Sequence, residues 1–585
     1  MKKIFLSALF LLTANILFSQ KFLNKNKQAN KWVDSVFNSL NEDEKIAQLF
    51  IIRAHSNLGN HHIEDVINKI KKYNVGGLCF FQGGPVRQAN LTNYYQSIAK
   101  TPLLITMDAE WGLGMRLDSV NLFPKNMMLG AMQSDSLILQ IGKAIGKQCK
   151  RMGIHLNYAP VVDVNNNPEN PVINDRSFGE NKYKVSNYAN QLTNGMQSEG
   201  VMACAKHFPG HGDVAVDSHL DLPVINKSLK TLNSLELYPF KQQIKNNVGC
   251  IMTAHLSVPA IDTTQHLPTS LSKKTITNLL KNKLGFKGLI ITDGLEMKAL
   301  TKYFPSGESS AQAIIAGNDL LCLPEQIDSS IFKIKEAITQ HKLSKKQLYA
   351  SVKKVLLAKY NLGLNKTQSI NTKNLTEDLN KQTNNLIALV AENAITTVKQ
   401  TNKNVIPLND VTKPKDVLPR VALIHIGNGK ENEFTNRMKN DWNADVYFYS
   451  NSYSMNYVIR DSIEPRTGTI ISGTKAKYNL AQSIIDSCTN LKKYDAIIIS
   501  VHQYNRRPAN NFGLDTAAVF LMQQFAQNEN AISFFFGNPY AIKNNCNAQN
   551  IIACYEDDAI IQHKAADLLQ GRFKAVGKLP VTVCY

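Results

Sequence analysis

Gly288-Leu289-Ile290-Ile291-Thr292-Asp293-Gly294-Leu295-Glu296-Met297 is the stretch from which the fold can be read. Residues 289–292 are apolar or β-branched, too few for a helix, and set between turn-forming neighbours, which favours a short buried strand. Core packing gives no reason for a carboxylate at the end of such a strand, and Gly294 is expected to let the chain turn sharply after it. Working outward, similar apolar runs recur at 47–52, 77–81, 103–107, 154–159, 202–207, 250–255 and 319–323. Amphipathic stretches such as 134–152 and 182–199 lie between many of them. Alternating strands and helices of this kind suggest parallel strands closing into a barrel, and an open doubly wound sheet fits the same alternation. The polar, weakly patterned stretch 365–384 reads as a linker. Beyond it the alternation resumes at 421–426, 446–449, 496–501, 532–536 and 551–555, which predicts a second α/β unit with an open sheet covered by helices.

The wider composition narrows the class of protein. The chain has 585 residues, 43% hydrophobic and 19% charged, an ordinary globular balance that excludes collagen-like and broadly disordered chains. Lys2 and Lys3 precede an apolar run at 4–18 that ends at the small residue Ser19, the order of a secretory signal peptide. The run is shorter than the roughly 20 residues a spanning helix needs, so no stable membrane insertion is expected and the mature protein is read as periplasmic or extracellular. The formal charge is +20, but lysines are spread along the whole chain with no dense basic run, so nucleic acid is not expected as a partner. Of the nine cysteines, Cys79, Cys204, Cys250, Cys322 and Cys554 sit in strand-like runs, the habitat of buried thiols, and no structural disulfide is expected.

Chemistry-bearing residues cluster at the predicted strand ends, where parallel α/β folds place their ligands. The run Ala203-Cys204-Ala205-Lys206-His207-Phe208-Pro209-Gly210-His211-Gly212-Asp213, closely followed by Asp217-Ser218-His219, is the richest. Pro209, Gly210 and Gly212 prevent a helix there, so the i, i+4 spacing of His207 and His211 need not put both on one face for zinc. Asp217 and His219 lie two apart, so in an extended segment the carboxylate can fix the imidazole tautomer and leave the other ring nitrogen for proton transfer. Asp293 at its strand end suits a nucleophile. Asp108, in Thr106-Met107-Asp108-Ala109-Glu110-Trp111-Gly112, can accept hydrogen bonds from sugar hydroxyls, with Trp111 against a ring face. Arg176, in Asn174-Asp175-Arg176-Ser177-Phe178-Gly179, offers a fork of donors. Each has a plainer alternative: a helix N-cap for Asp293, a loop-stabilising pair for Asp217 and His219, a solvated loop around Asp108, and a salt bridge for Arg176. His155 and His255 read as packed core histidines.

These four segments, in this order, resemble glycoside hydrolase family 3, and within it the bacterial β-N-acetylglucosaminidases of the NagZ type. The 206–219 stretch is similar to that subgroup's lysine–histidine, Pro–Gly turn and Asp–Ser–His pattern, and 291–297 to the family's nucleophile strand. Ala316-Gly317-Asn318-Asp319 looks like the family's final barrel strand, and 391–408 and 536–583 resemble its C-terminal domain. The resemblance implies a (β/α)8-type barrel over 21–364 after a signal peptide at 1–20, a linker at 365–388, and an α/β sandwich domain over 389–585. It further implies Asp293 as nucleophile, His219 as acid/base with Asp217 as its partner, and Asp108, Arg176, Lys206 and His207 holding the sugar hydroxyls. No metal or organic cofactor is required by that chemistry, and the substrate would be an oligosaccharide or muropeptide carrying a terminal N-acetylglucosamine. Many relatives carry Gln–Glu–Gly–Gly after the first aspartate, whereas Ala109-Glu110-Trp111-Gly112 stands here, so the rim of the sugar pocket differs. The competing activities are a β-glucosidase or β-xylosidase of the same family, a glycoside phosphorylase, and a non-catalytic wall-binding protein.

Overall fold

The computed structural model describes residues 22–216, 221–366, 368–408, 418–451, 462–463, 470–471, 473–489 and 494–584. The predicted export signal, Asp217 and His219 therefore lie outside the described residues. The chain divides into two compact units: one of 1–123, 135–164 and 182–383, the other of 124–134, 165–181 and 384–585.

The first unit holds eight parallel strands: β1 Phe50–Ala54, β2 Gly77–Phe80, β3 Leu104–Met107, β4 Leu156–Asn157, β5 Met202–Phe208, β6 Cys250–Thr253, β7 Leu289–Thr292 and β8 Leu321–Cys322. They pair in sequence order, with β8 against β1. An Ile291–Leu320 bridge joins the β7 and β8 ends of the sheet. That closure decides for the barrel over the open sheet. The strands are short and largely apolar, as both of their faces are covered, one by the barrel interior and one by helices. Two of those helices, Asp135–Arg151 and Lys182–Ser198, come unusually close. A Cβ on Gly195 would stand 2.6 Å from Leu139 O, so only glycine fits that crossing.

Several boundaries differ from the sequence reading. The run at 47–52 begins as a helix, Glu42–Ala47, because Asn41 and Glu44 form a reciprocal capping box that starts it. The last barrel run, 319–323, contributes only Leu321–Cys322; Asp319 turns to accept Ile290 N at 3.0 Å and Lys354 Nζ at 2.7 Å. Within 365–388 lie the helix Leu375–Asn380 and the start of Thr383–Ala394. Arg151 holds the former through Asp378 at 2.9 Å.

The second unit is built on a sheet ordered β11-β10-β14-β15-β16-β9. Its strands are β9 Thr396–Gln400, β10 Val421–Gly427, β11 Asp445–Ser450, β14 Ala496–Val501, β15 Ala531–Phe535 and β16 Asn550–Ala553. A separate antiparallel pair joins β12 Ser462–Ile463 to β13 Ile470–Ile471. The main sheet is parallel except for edge strand β9, antiparallel to β16. Helices Glu433–Trp442, Thr516–Gln524 and Ala559–Leu569 belong to this unit. The expectation of no disulfide is overturned here. Cys546 and Cys584 are bonded across 38 residues, while the seven other cysteines are buried free thiols. The bonded pair differs from those seven in lying at partly or fully exposed positions.

Candidate active site

Asp293 follows β7 directly, and its backbone is tied to strands on both sides. Its amide donates to Thr253 O at 2.9 Å, at the end of β6, and Leu295 N donates to Cys322 O at 2.9 Å, in β8. Gly294 N donates to the Asp293 carboxylate at 2.8 Å. The expected need for glycine at 294 is not found: its φ is not positive, and a methyl group there would meet nothing closer than 3.6 Å.

The Lys206–His207 pair sits at the end of β5 and is buried on both counts. Lys206 Nζ bonds Asp108 Oδ1 at 2.5 Å and Glu110 Oε1 at 2.6 Å. Asp108 also takes Arg116 Nη2 at 2.7 Å, and Arg116 Nε returns to Asp108 O at 2.9 Å. Asn157, ending β4, clamps the turn by exchanging two amide hydrogen bonds of 3.0 Å with the backbone of Ala109. Asp108 keeps a partly exposed edge from which it can accept a hydroxyl. His207 is oriented from behind: Nδ1 lies 2.7 Å from Asp163 Oδ2, which requires Nδ1–H to donate, and the amides of His207 and His211 also point to Asp163. Gly210 is needed at the following turn, where φ is +133° and a Cβ would stand 2.7 Å from Glu236 Cβ.

Opposing influences set the Asp293 charge. Burial pushes the carboxyl up, but the His255 and His207 rings, the Gly294 N–H and the Lys206 ammonium outweigh it and hold it down to about 2. A carboxylate that stays ionised inside protein suits attack on an electrophilic carbon. His255 is packed, as expected of a core histidine, but it packs against the turn that follows β7. Its Nε2 donates to Gly294 O at 3.0 Å, and Nδ1 lies 2.7 Å from Ser270 Oγ. His155 is likewise enclosed, Nδ1 accepting Ile105 N at 3.1 Å, and burial takes its pKa down to about 4.

Of the residues singled out in the sequence, Asp108 and Lys206 are thus ion-paired, and Lys206, His207 and Asp293 are brought together electrostatically. Arg176 lies in the short turn Asn174–Arg176 of the second unit, where Nη1 donates to Val172 O at 3.2 Å. Trp111 is half-buried, its carbonyl accepting Phe123 N at 3.1 Å. Glu110, Arg116, Asp163 and His255 were not among the chosen site residues. A signal existed for two of them. Asp163 is an acid in the apolar run Val161-Val162-Asp163-Val164, and His255 falls just past a strand end.

A closed barrel presenting an ionised aspartate beside a lysine–histidine pair at one rim suits a glycoside hydrolase, and the family match places the chain in that class. Residues 41–358 match the model described as the glycosyl hydrolase family 3 N terminal domain, and the chain belongs to that family. It is 34% identical over 373 residues to β-hexosaminidase A of Pseudoalteromonas piscicida, a match covering 58% of this chain and 62% of that protein, so the chain spans less than two thirds of that relative's length. A Cellulomonas fimi protein named β-N-acetylglucosaminidase/β-glucosidase is 26% identical over 68% of this chain and 70% of its own. Among solved structures, the family 3 β-N-acetylglucosaminidase of Paenibacillus sp. str. FPU-7 superposes with a TM-score of 0.73 at 25% identity, covering 93% of this chain and 99% of that one. A β-glucoside phosphorylase superposes at 0.79 with 22% identity, over 96% and 97%, a likeness of fold.

Proposed function

We propose that this chain is a retaining exo-β-N-acetylglucosaminidase that removes terminal β-linked N-acetylglucosamine from peptidoglycan fragments or chito-oligosaccharides. The observation that carries the reading is the Asp293 carboxylate, held ionised at the end of β7 among Lys206, His207 and His255. Asp293 attacks the anomeric carbon while His219, steered by Asp217, protonates the departing oxygen; the same imidazole, then neutral, activates the water that releases the sugar. Asp217 and His219 come to these roles from their motif. Asp108, Lys206 and His207 hold the sugar hydroxyls. The relatives named β-hexosaminidase support the choice of sugar. We further propose export to the periplasm or beyond; the Cys546–Cys584 disulfide supports this, since such bonds persist in oxidising compartments.

The test is a panel of aryl β-glycosides with intact-protein mass spectrometry. Turnover of the N-acetylglucosaminide over the glucoside and xyloside is expected, with a glycosyl adduct on the wild type and neither adduct nor turnover in a folded Asp293→Ala variant. His219→Ala is expected to slow substrates with poor leaving groups far more than activated ones. Preference for glucoside, sugar phosphate as the product in phosphate buffer, or binding without turnover would each overturn the reading.

A further inference from the structure

We propose that the groove opening beside Glu296 receives the aglycone, and that the Arg53–Glu296 pair at its mouth selects a neutral, hydroxyl-rich sugar there over one bearing a carboxylate. The proposal rests on the reading of the chain as an N-acetylglucosaminidase and chooses within it, for chito-oligosaccharides over muramic-acid disaccharides. The groove lies in the first unit and has a volume of about 960 Å³, the size of a ligand site. Helix Gly59–Tyr73 and the start of helix Ile327–Thr339 flank it, and Ile52 and Arg53 of β1 and the chain after β8 complete its wall. Its mouth is joined to the residues proposed to hold the sugar. Along the chain, Glu296 is three residues past Asp293, a span of at most about 11 Å. Through space, the Arg53 and Arg116 guanidinium groups stand 3.9 and 4.9 Å from the centre of the Phe81 ring, and Arg116 bonds the Asp108 that pairs with Lys206.

Arg53 Nη2 donates to Glu296 Oε1, and the two side chains are 35% and 41% exposed. Ion pairs this exposed contribute little to stability, so stability gives little reason for the pair. Each partner also has capacity to spare. Among the described residues, Arg53 Nε and Glu296 Oε2 have no hydrogen-bond partner, so the pair offers a donor and an acceptor side by side, as a sugar hydroxyl requires. The sign of the charge decides the class of aglycone. The chain carries +20 overall, yet its groove is balanced. Lys69 is matched by Asp65 at 2.6 Å and Lys72 by Asp328 at 3.2 Å, which leaves Lys71 and Glu325, of opposite sign. At the mouth, a carboxylate drawn to Arg53 would meet Glu296 on the same guanidinium, and like charges brought together at a binding surface reject the wrong partner. A hydroxyl meets no such opposition. Chitobiose presents only hydroxyls and acetamides, whereas N-acetylmuramic acid carries a lactyl carboxylate on the carbon next to the one bearing the glycosidic oxygen.

The experiment measures kcat and KM of wild type, Glu296→Gln and Arg53→Met on an aryl N-acetylglucosaminide, on chitobiose, on the disaccharide of N-acetylglucosamine β-linked to N-acetylmuramic acid, and on that disaccharide with its lactyl carboxyl converted to the amide. Wild type is expected to favour chitobiose over the acid disaccharide by about tenfold or more in kcat/KM, with the amide close to chitobiose, and added salt should narrow the gap because the rim is partly exposed. Glu296→Gln should raise kcat/KM on the acid disaccharide by about fivefold or more and on the amide far less. Arg53→Met should raise KM about tenfold more for chitobiose than for the aryl glycoside, which brings no second sugar to the groove. An acid disaccharide cleaved as readily as chitobiose, an amide as poor as the acid, no gain in Glu296→Gln, or equal losses in Arg53→Met on chitobiose and the aryl glycoside would overturn this proposal alone, provided wild type cleaves the aryl glycoside. If wild type cleaves none of these substrates, the N-acetylglucosaminidase reading falls and this proposal with it.

Discussion

At Asp293 the enclosure that would neutralise a lone carboxyl is outweighed by His255, His207, the Gly294 N–H and Lys206, which keep it ionised down to about pH 2. A depressed carboxyl contributes stability that is fully present above its unfolded value of about 3.9 and is lost as pH falls through the folded value near 2. On the proposed role of Asp293 the same sign governs catalysis, because its carboxylate is ionised throughout the range near neutrality. The kcat/KM profile is therefore expected to show an alkaline limb, from loss of the imidazole proton, and no acid limb between about pH 7 and 5. An acid limb with a midpoint above about 4 in protein that remains folded would contradict this, and stopped assays from pH 4 to 9 would reveal it. Asp293, Lys206, His207 and Asp108 were legible because a polar residue at the end of an apolar strand has no packing reason to be there. Glu110 and Arg116 were not, because their meaning lies in partners supplied by other segments: Glu110 pairs with Lys206, nearly a hundred positions along the chain, and Arg116 folds back on Asp108.

Elements were legible in kind and less so in extent. Periodicity marked eight barrel strands, but local capping at Asn41 and Glu44 claimed the start of the first run for a helix. Periodicity also says nothing about a charged residue placed on a buried face. Lys359, in helix Lys345–Asn361, is fully enclosed beside the residue that leads into β1, its Nζ bonded to Gln48 Oε1 at 2.7 Å. Burial lowers this lysine to about 7. An unfolded lysine titrates near 10.4, so between about 7 and 10.4 the unfolded chain binds more protons and stability rises with pH. At pH 6 the penalty is on the order of 4 kcal/mol. Lys359→Met would remove it and leave Gln48 Oε1 without that donor, at a cost of about 1–3 kcal/mol. The variant is expected to be more stable than wild type at pH 6 by about 1–3 kcal/mol, with the advantage shrinking or reversing by pH 9.5. Urea midpoints at the two pH values test this, and a difference that does not change with pH would refute it.

For the whole molecule, the closed barrel and the open second sheet were both foreseen in outline, and the antiparallel edge strand β9 and the disulfide were not. Thr396–Gln400 carries no strong alternation, with partly buried and exposed residues following a single buried one, so it has little periodic signal of its own and depends on β16 for its hydrogen bonds. The disulfide escaped for a different reason: spacing does not determine which cysteines pair, and five cysteines rightly read as buried thiols say nothing of the remaining four. Cys546 follows the 3-10 helix Pro539–Asn545, and the bond closes a loop of 38 residues that contains β16 and the helix Ala559–Leu569. Constraint of the unfolded chain by a loop of that length is worth about 3–4 kcal/mol. The loss should be local, since every element in the loop belongs to the second unit. Hydrogen exchange on the Cys584→Ser variant is expected to show faster exchange in β16, β9 and Ala559–Leu569, with the strands β1–β8 unchanged, and reduction of the wild type should reproduce the pattern. Uniform acceleration through both units would mean that they unfold as one, and unchanged exchange throughout would mean that the bond adds no stability to the sheet it encloses.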